Sequence, residues 1–131
     1  MKRHALRSPL AQARGLGSAK DGFDHWWVQR ITAIALAPLA VWFVISILTT
    51  LMGATRFEFA SWLENPWNAL LLAALVAVML WHARLGIQVV LEDYVHTEGK
   101  KLVLLIASKF IFTGAAILGV FAIIKLHFFG V

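Results

Sequence analysis

Among the five histidines of this 131-residue chain, His82 alone falls deep inside an apolar run. An imidazole is too short to return its polar atoms to a membrane surface as lysine does, so a histidine at that depth requires a partner. One such partner is a hydroxyl or carbonyl of a neighbouring helix, which would make His82 a packing residue. The other is haem iron, for which neutral imidazole is a strong axial ligand. The residues that follow favour the second. Gly86, Val89 and Asp93 stand at +4, +7 and +11 from His82, close to one face of a helix that advances about 100° per residue. Gly86 removes a side chain where a flat macrocycle would lie, although glycine in a membrane helix also serves helix packing. His4, His25, His96 and His127 lie in the N-terminal segment or at helix ends, so a second axial ligand is expected from another chain. With no cysteine, the chain has no disulfide, no thiolate ligand and no c-type haem attachment.

Two polar clusters flank the apolar runs. Asp24, His25, Trp26, Trp27, Gln29 and Arg30 crowd the entry to the first run, where indole rings suit the headgroup level and Arg30 suits a lipid phosphate or a haem propionate. Asp93 and Tyr94 close the second run, either as an ordinary polar terminus or as a carboxylate and phenol able to hydrogen-bond a quinone carbonyl and help deliver protons. Arg84 and Lys109 are expected to snorkel toward the cytoplasmic face. For Arg84, the alternative is neutralising an anionic group bound between helices.

These residues need a scaffold, and the composition specifies one. Apolar residues make up 60% of the chain and its mean hydropathy is +0.77, far above a soluble domain of this length. About 20 apolar residues cross a bilayer core about 30 Å thick, so three spans and their connections use nearly the whole chain. An all-α membrane domain is therefore expected over residues 25–131, with helices at about 27–52, 67–91 and 102–127. Pro38 would kink the first helix. Trp62 and Trp67 suit an interfacial belt, and Gly114 and Gly119 suit close helix approach. Residues 1–24 form a basic tail with Lys2, Arg3, Arg7, Arg14 and Lys20, interrupted by Pro9, Gly15 and Gly17. Six Lys and Arg precede Ile31, against one in the first connection, two in the second and one near the C-terminus, which places the N-terminus in the cytoplasm. Membrane orientation accounts for the net charge of +5 more simply than nucleic-acid binding does.

The pattern His82-x-x-x-Gly86-x-Gln88-Val89-Val90-x-x-Asp93-Tyr94-Val95-His96 resembles the signature of the small membrane-anchor subunits of succinate dehydrogenase. His25-Trp26-x-x-x-Arg30 is similar to the entry motif of that family. The resemblance implies that His82 is an axial ligand of haem b, that Tyr94 hydrogen-bonds the ubiquinone carbonyl with Asp93 in support, and that Arg30 lies near a haem propionate. His25 and Trp26 would lie near the haem or quinone. It further implies a haem-binding bundle with a second membrane-anchor cytochrome b subunit, docked to an iron–sulfur subunit and a flavoprotein subunit. The chain would then be a non-catalytic anchor and quinone-site subunit, in a bacterial inner membrane or equivalently a mitochondrial inner membrane. The rival expectations are the anchor of a fumarate reductase and a non-redox transporter or assembly subunit in which His82 only packs.

Overall fold

The computed structural model describes residues 20–130, with side chains from Asp24 onward. The tail residues Lys2, Arg3, Arg7, Pro9, Arg14, Gly15 and Gly17, and with them His4, lie outside the described residues. Four α-helices follow in order: α1 (Lys20–Ser46), α2 (Arg56–Glu64), α3 (Pro66–Tyr94) and α4 (Glu98–Phe129). Among the described residues there is no strand, and the fold is all-α. The segments Asp24–Leu51, Pro66–Tyr94 and Glu98–Phe129 are each long and apolar enough to cross a membrane.

The helices run further than the apolar stretches that announce them. α1 begins at Lys20, inside the segment read as tail, and is unbroken through Pro38. Its departure from α-helical bonding comes later, in a π-helical segment over Ile47–Leu51. There Ser46 Oγ donates to the Trp42 carbonyl at 2.9 Å and Thr49 Oγ1 to the Ile45 carbonyl at 2.8 Å, so hydroxyls reinforce the preceding turn. Gly53 then reverses the chain with φ of +80°, a conformation that favours glycine.

The first connection contains a helix that hydropathy does not signal. Thr55 and Glu58 form a reciprocal cap: the Thr55 N–H donates to Glu58 Oε2 at 2.6 Å, and the Glu58 N–H donates to Thr55 Oγ1 at 3.4 Å. α2 thus starts on a satisfied terminus and buries Ala60 and Leu63. The next helix starts almost at once, with Asn65 Oδ1 accepting from the Trp67 N–H at 3.0 Å and Pro66 in the first turn. The second connection is shorter than its polarity suggests. Asp93 and Tyr94 are the last residues of α3, and only residues 95–97 separate it from α4.

α3 is the central helix and packs against both α1 and α4. The buried core gathers Leu63, Ala69, Leu72, Leu75 and Ile123, with Leu39, Trp42 and Trp62 packed on it. Trp62 stacks on Trp42 with ring centroids 5.8 Å apart, so it is half-buried in this core rather than set in a belt. Trp67 remains exposed. His127 Nδ1 meets the Leu63 carbonyl at 2.7 Å and ties the end of α4 to α2. Gly119 allows a close α3–α4 approach, since a Cβ there would lie 2.8 Å from Val76 Cγ1. Gly114 departs from expectation: a Cβ there meets nothing within 4 Å, so packing within this chain does not require it to be glycine.

All of this core lies at the end of the bundle that holds the start of α3 and the finish of α4. Toward the other end of α3 only Leu85 is buried, and an open cleft lies between the surfaces of α1 and α3.

Candidate functional site

The open space is a cleft of about 500 Å³ lined by His25, Trp26, Gln29, Arg30 and Ala33 from α1 and by His82, Gly86 and Val89 from α3. That volume lies within the range of small-molecule and cofactor sites. The α3 contribution is the stripe spaced by +4 and +7 from His82, and the α1 contribution is a stripe spaced by +4 and +8 through His25, Gln29 and Ala33. Antiparallel packing brings the entry of α1 beside the second half of α3. His25, Arg30, His82 and Gly86, read separately as cofactor-binding, therefore line one cleft from its two sides.

His82 is 12 residues from the end of α3, about 18 Å along the axis. α3 has 29 residues and a length of about 43 Å, so the imidazole sits well inside an apolar layer about 30 Å thick. Its Nδ1 lies 2.8 Å from Thr32 Oγ1 on α1. That contact occupies one ring nitrogen and leaves the other for the cleft.

Gly86 lies one turn beyond. A Cβ at this position would meet only Gln29 Nε2, at 3.9 Å, which is ordinary van der Waals contact. Helix packing within the chain therefore does not account for the glycine. What the missing side chain does provide is a flat patch of α3 backbone facing the cleft beside His82.

On the α1 side, His25 Nε2 and Gln29 Oε1 are buried atoms with no hydrogen-bond partner among the described residues. Unpaired buried polar atoms carry a desolvation cost that a ligand or a partner chain would relieve. Arg30 is exposed and its guanidinium stands 4.4 Å over the Trp26 ring, holding a fixed cation at the rim of the cleft. The donor set fits a haem edge. The imidazole of His82 would serve as ligand and the Arg30 cation would meet a propionate, while His25 adds a second imidazole from α1 and Ala33 and Gly86 leave room between the helices. Among the described residues, no three His, Asp or Glu side chains gather to hold a bare ion.

Asp93 and Tyr94 are not part of the cleft lining. Asp93 continues the His82 stripe, about 20° off its axis, whereas Tyr94 projects about 120° away from it. Tyr94 is 78% exposed at the last turn of α3.

Arg84 takes a different path from the one expected of it. Its guanidinium lies 4.6 Å over the Trp81 ring, one turn toward the start of α3 and away from the Tyr94 end. Helical side chains lean toward the N-terminus and an indole face attracts guanidinium, which together outweigh snorkelling toward the other end. Arg84 and Lys109 line a separate cleft between α3 and α4.

Sequence reasoning noted Gln29 only as part of the entry cluster and passed over Thr32 and Ala33. The signal was present as polar residues at His25, Gln29 and Thr32, spaced by +4 and +7 along one face of an apolar helix.

The chain is similar to known membrane-anchor proteins. The model of the succinate dehydrogenase/fumarate reductase transmembrane subunit family matches residues 4–116. The succinate dehydrogenase hydrophobic membrane anchor subunit of Rickettsia conorii is 37% identical over 90 residues, covering 69% of this chain and 71% of the relative. That of Rickettsia bellii is 37% identical over 105 residues, covering 79% and 82%. The succinate dehydrogenase membrane anchor subunit of Reclinomonas americana is 32% identical over 87 residues, covering 64% and 72%. No solved structure matches the chain.

Proposed function

This chain belongs to the succinate dehydrogenase/fumarate reductase transmembrane subunit family, and from that premise we propose that it is the membrane anchor of a succinate:quinone oxidoreductase, supplying half of a haem b site and part of a ubiquinone-reduction site. The observation that carries this reading is the cleft in which His25, Arg30, His82 and Gly86 converge from two helices and which stays open on one side. An imidazole at mid-membrane, a rim cation and a bare stretch of helix suit a haem shared with a second anchor chain that brings the other axial ligand. The names of the relatives support the succinate-oxidising direction over fumarate reduction.

When bound, the haem supplies one-electron transfer within the membrane. This chain's own residues do the positioning. His82 presents a ring nitrogen, Arg30 offsets negative charge at the rim, and the apolar walls exclude water. At the end of α3, the Tyr94 hydroxyl donates to a quinone carbonyl oxygen, and Asp93, one residue earlier and exposed, relays protons from the aqueous side. Succinate oxidation itself belongs to the flavoprotein and iron–sulfur subunits that dock on this face. The N-terminus and the Tyr94 end then both face the cytoplasm of a bacterial inner membrane, or the matrix in a mitochondrial one.

The test is a reduced-minus-oxidised visible spectrum of the complex purified in mild detergent, beside a His82→Leu variant. The expected result is a b-type spectrum in the wild type, accompanied by a second membrane chain and two soluble subunits. His82→Leu should abolish that spectrum or alter its six-coordinate character while the subunits still co-purify. A haem-free wild-type complex overturns the haem reading and returns His82 to packing.

A further inference from the structure

The Thr32 hydroxyl lies behind the cleft, between α1 and His82, and makes three short contacts. Its Oγ1 is 2.9 Å from the Val28 carbonyl oxygen, 3.0 Å from the Gln29 carbonyl oxygen and 2.8 Å from His82 Nδ1. A hydroxyl has one proton and two lone pairs. If that proton pointed at His82, Oγ1 would stand at hydrogen-bond distance from two carbonyl oxygens with no hydrogen between them, a repulsive arrangement. If the proton is shared between the two carbonyls, as threonine in a helix commonly bonds back to the preceding turn, a lone pair is left directed at His82. The imidazole must then be the donor.

We propose that Thr32 is a positioning residue that holds the His82 proton on Nδ1 and so leaves the Nε2 lone pair as the nitrogen presented to the cleft. The inference deepens the haem reading above and rests on it for the identity of the ligand, though not for the tautomer. Histidine ligands take their orientation and basicity from the acceptor on their second nitrogen. Here the acceptor belongs to this chain and is in place before any partner arrives. α1 therefore serves the site twice, lining the cleft with one face and setting the ligating atom with a neighbouring one. The arrangement also fixes the ring plane, since a donor on α3 and an acceptor on α1 leave the imidazole no free rotation.

The test compares Thr32→Val, close in shape but lacking the hydroxyl, with Thr32→Ser, which restores it. In the haem-free full chain with isotope-labelled histidine, couplings between ring nitrogens and ring protons report which nitrogen of His82 is protonated. His82→Leu identifies the signal. Protonated Nδ1 is expected in the wild type and in Thr32→Ser, and a shift toward protonated Nε2 in Thr32→Val. In the complex, Thr32→Val should weaken haem binding about 10-fold or more, the usual effect of removing such an acceptor. Its midpoint potential should also move positive, because an imidazole that no longer donates from Nδ1 is a poorer electron donor to ferric iron. Wild-type His82 protonated on Nε2, or a Thr32→Val complex with unchanged haem affinity and potential, overturns the proposal. A Thr32-dependent Nδ1 proton in a chain whose complex shows no b-type spectrum upholds the tautomer control and overturns the haem reading alone.

Discussion

Gly86 separates a packing role from a ligand-lining role more sharply than His82, because its side chain can be enlarged without removing any polar group. A Cβ at Gly86 meets only Gln29 Nε2, at 3.9 Å, so Gly86→Ala introduces no clash within the chain. The glycine also sits inside a 29-residue helix, where alanine is favoured by about 1 kcal/mol. The chain alone should therefore keep its helix content and gain up to about 1 kcal/mol of stability. The cleft fares differently. A methyl group placed one turn from His82 stands where a flat ring would lie, and overpacking of that kind costs about 1–3 kcal/mol, or about 5- to 150-fold in haem affinity. Gly86→Leu extends the same intrusion across the cleft and should exclude the ring altogether. The assay pairs haem per complex, from the absorbance of the extracted pyridine adduct, with circular dichroism and thermal unfolding of the same preparations. Loss of haem with intact helix content supports the cleft as the haem site. Haem content unchanged in Gly86→Leu refutes it, and haem loss that only tracks loss of helix assigns Gly86 to packing.

Three further outcomes follow from contacts elsewhere. Gly119→Ala should destabilise the α3–α4 pair by about 1–3 kcal/mol, because its Cβ would lie 2.8 Å from the stiff Val76 side chain, whereas Gly114→Ala should not; thermal unfolding of the two variants distinguishes them. The Thr55 backbone N–H, and then its hydroxyl, hold the Glu58 carboxyl below its ordinary value of 4.5. The cap is fully present above pH 4.5 and is lost as pH falls through the lower folded value, so amide protection in α2, taken relative to the intrinsic exchange rate at each pH, should fall on acidification, and Glu58→Gln should remove that pH dependence. Tyr94→Phe removes one hydroxyl from a residue 78% exposed, so stability should change by less than about 0.5 kcal/mol while quinone reductase activity falls and haem content holds; unchanged activity would remove Tyr94 from the quinone site.

Three spanning helices were legible because each carries a run of apolar residues long enough to admit no other solvent. Their ends were not, since hydropathy stops where charge begins, whereas the hydrogen-bonded ladder continues through Asp93 and Tyr94 until Val95 breaks it. α2 hid for the same reason. It is too short and mixed to register by hydropathy, and its signal lay in the Thr55-x-x-Glu58 cap, a local pattern independent of the apolar runs. Half of the cleft was visible on α3 because His82, Gly86 and Val89 keep one helical period. The other half needed a tertiary fact, the antiparallel pairing that brings His25 and Arg30 opposite them. Thr32 escaped notice because a lone hydroxyl in a membrane helix ordinarily satisfies itself on its own backbone. Only its distance to His82 gives it a second task.

The one-ended core bears on the order in which such a complex is put together. Leu63, Leu72, Leu75 and Ile123 fasten the bundle from this chain's own residues, so that end can close during insertion, before any other subunit is met. At the opposite end α1 and α3 touch through Thr32 and His82 but leave a cleft open beside that contact. On the function proposed above, the cofactor would be added to a bundle already fastened at its other end. Amide protection along α3 should then be high around Leu72 from the outset and rise around Val89 only once the cleft is filled and covered.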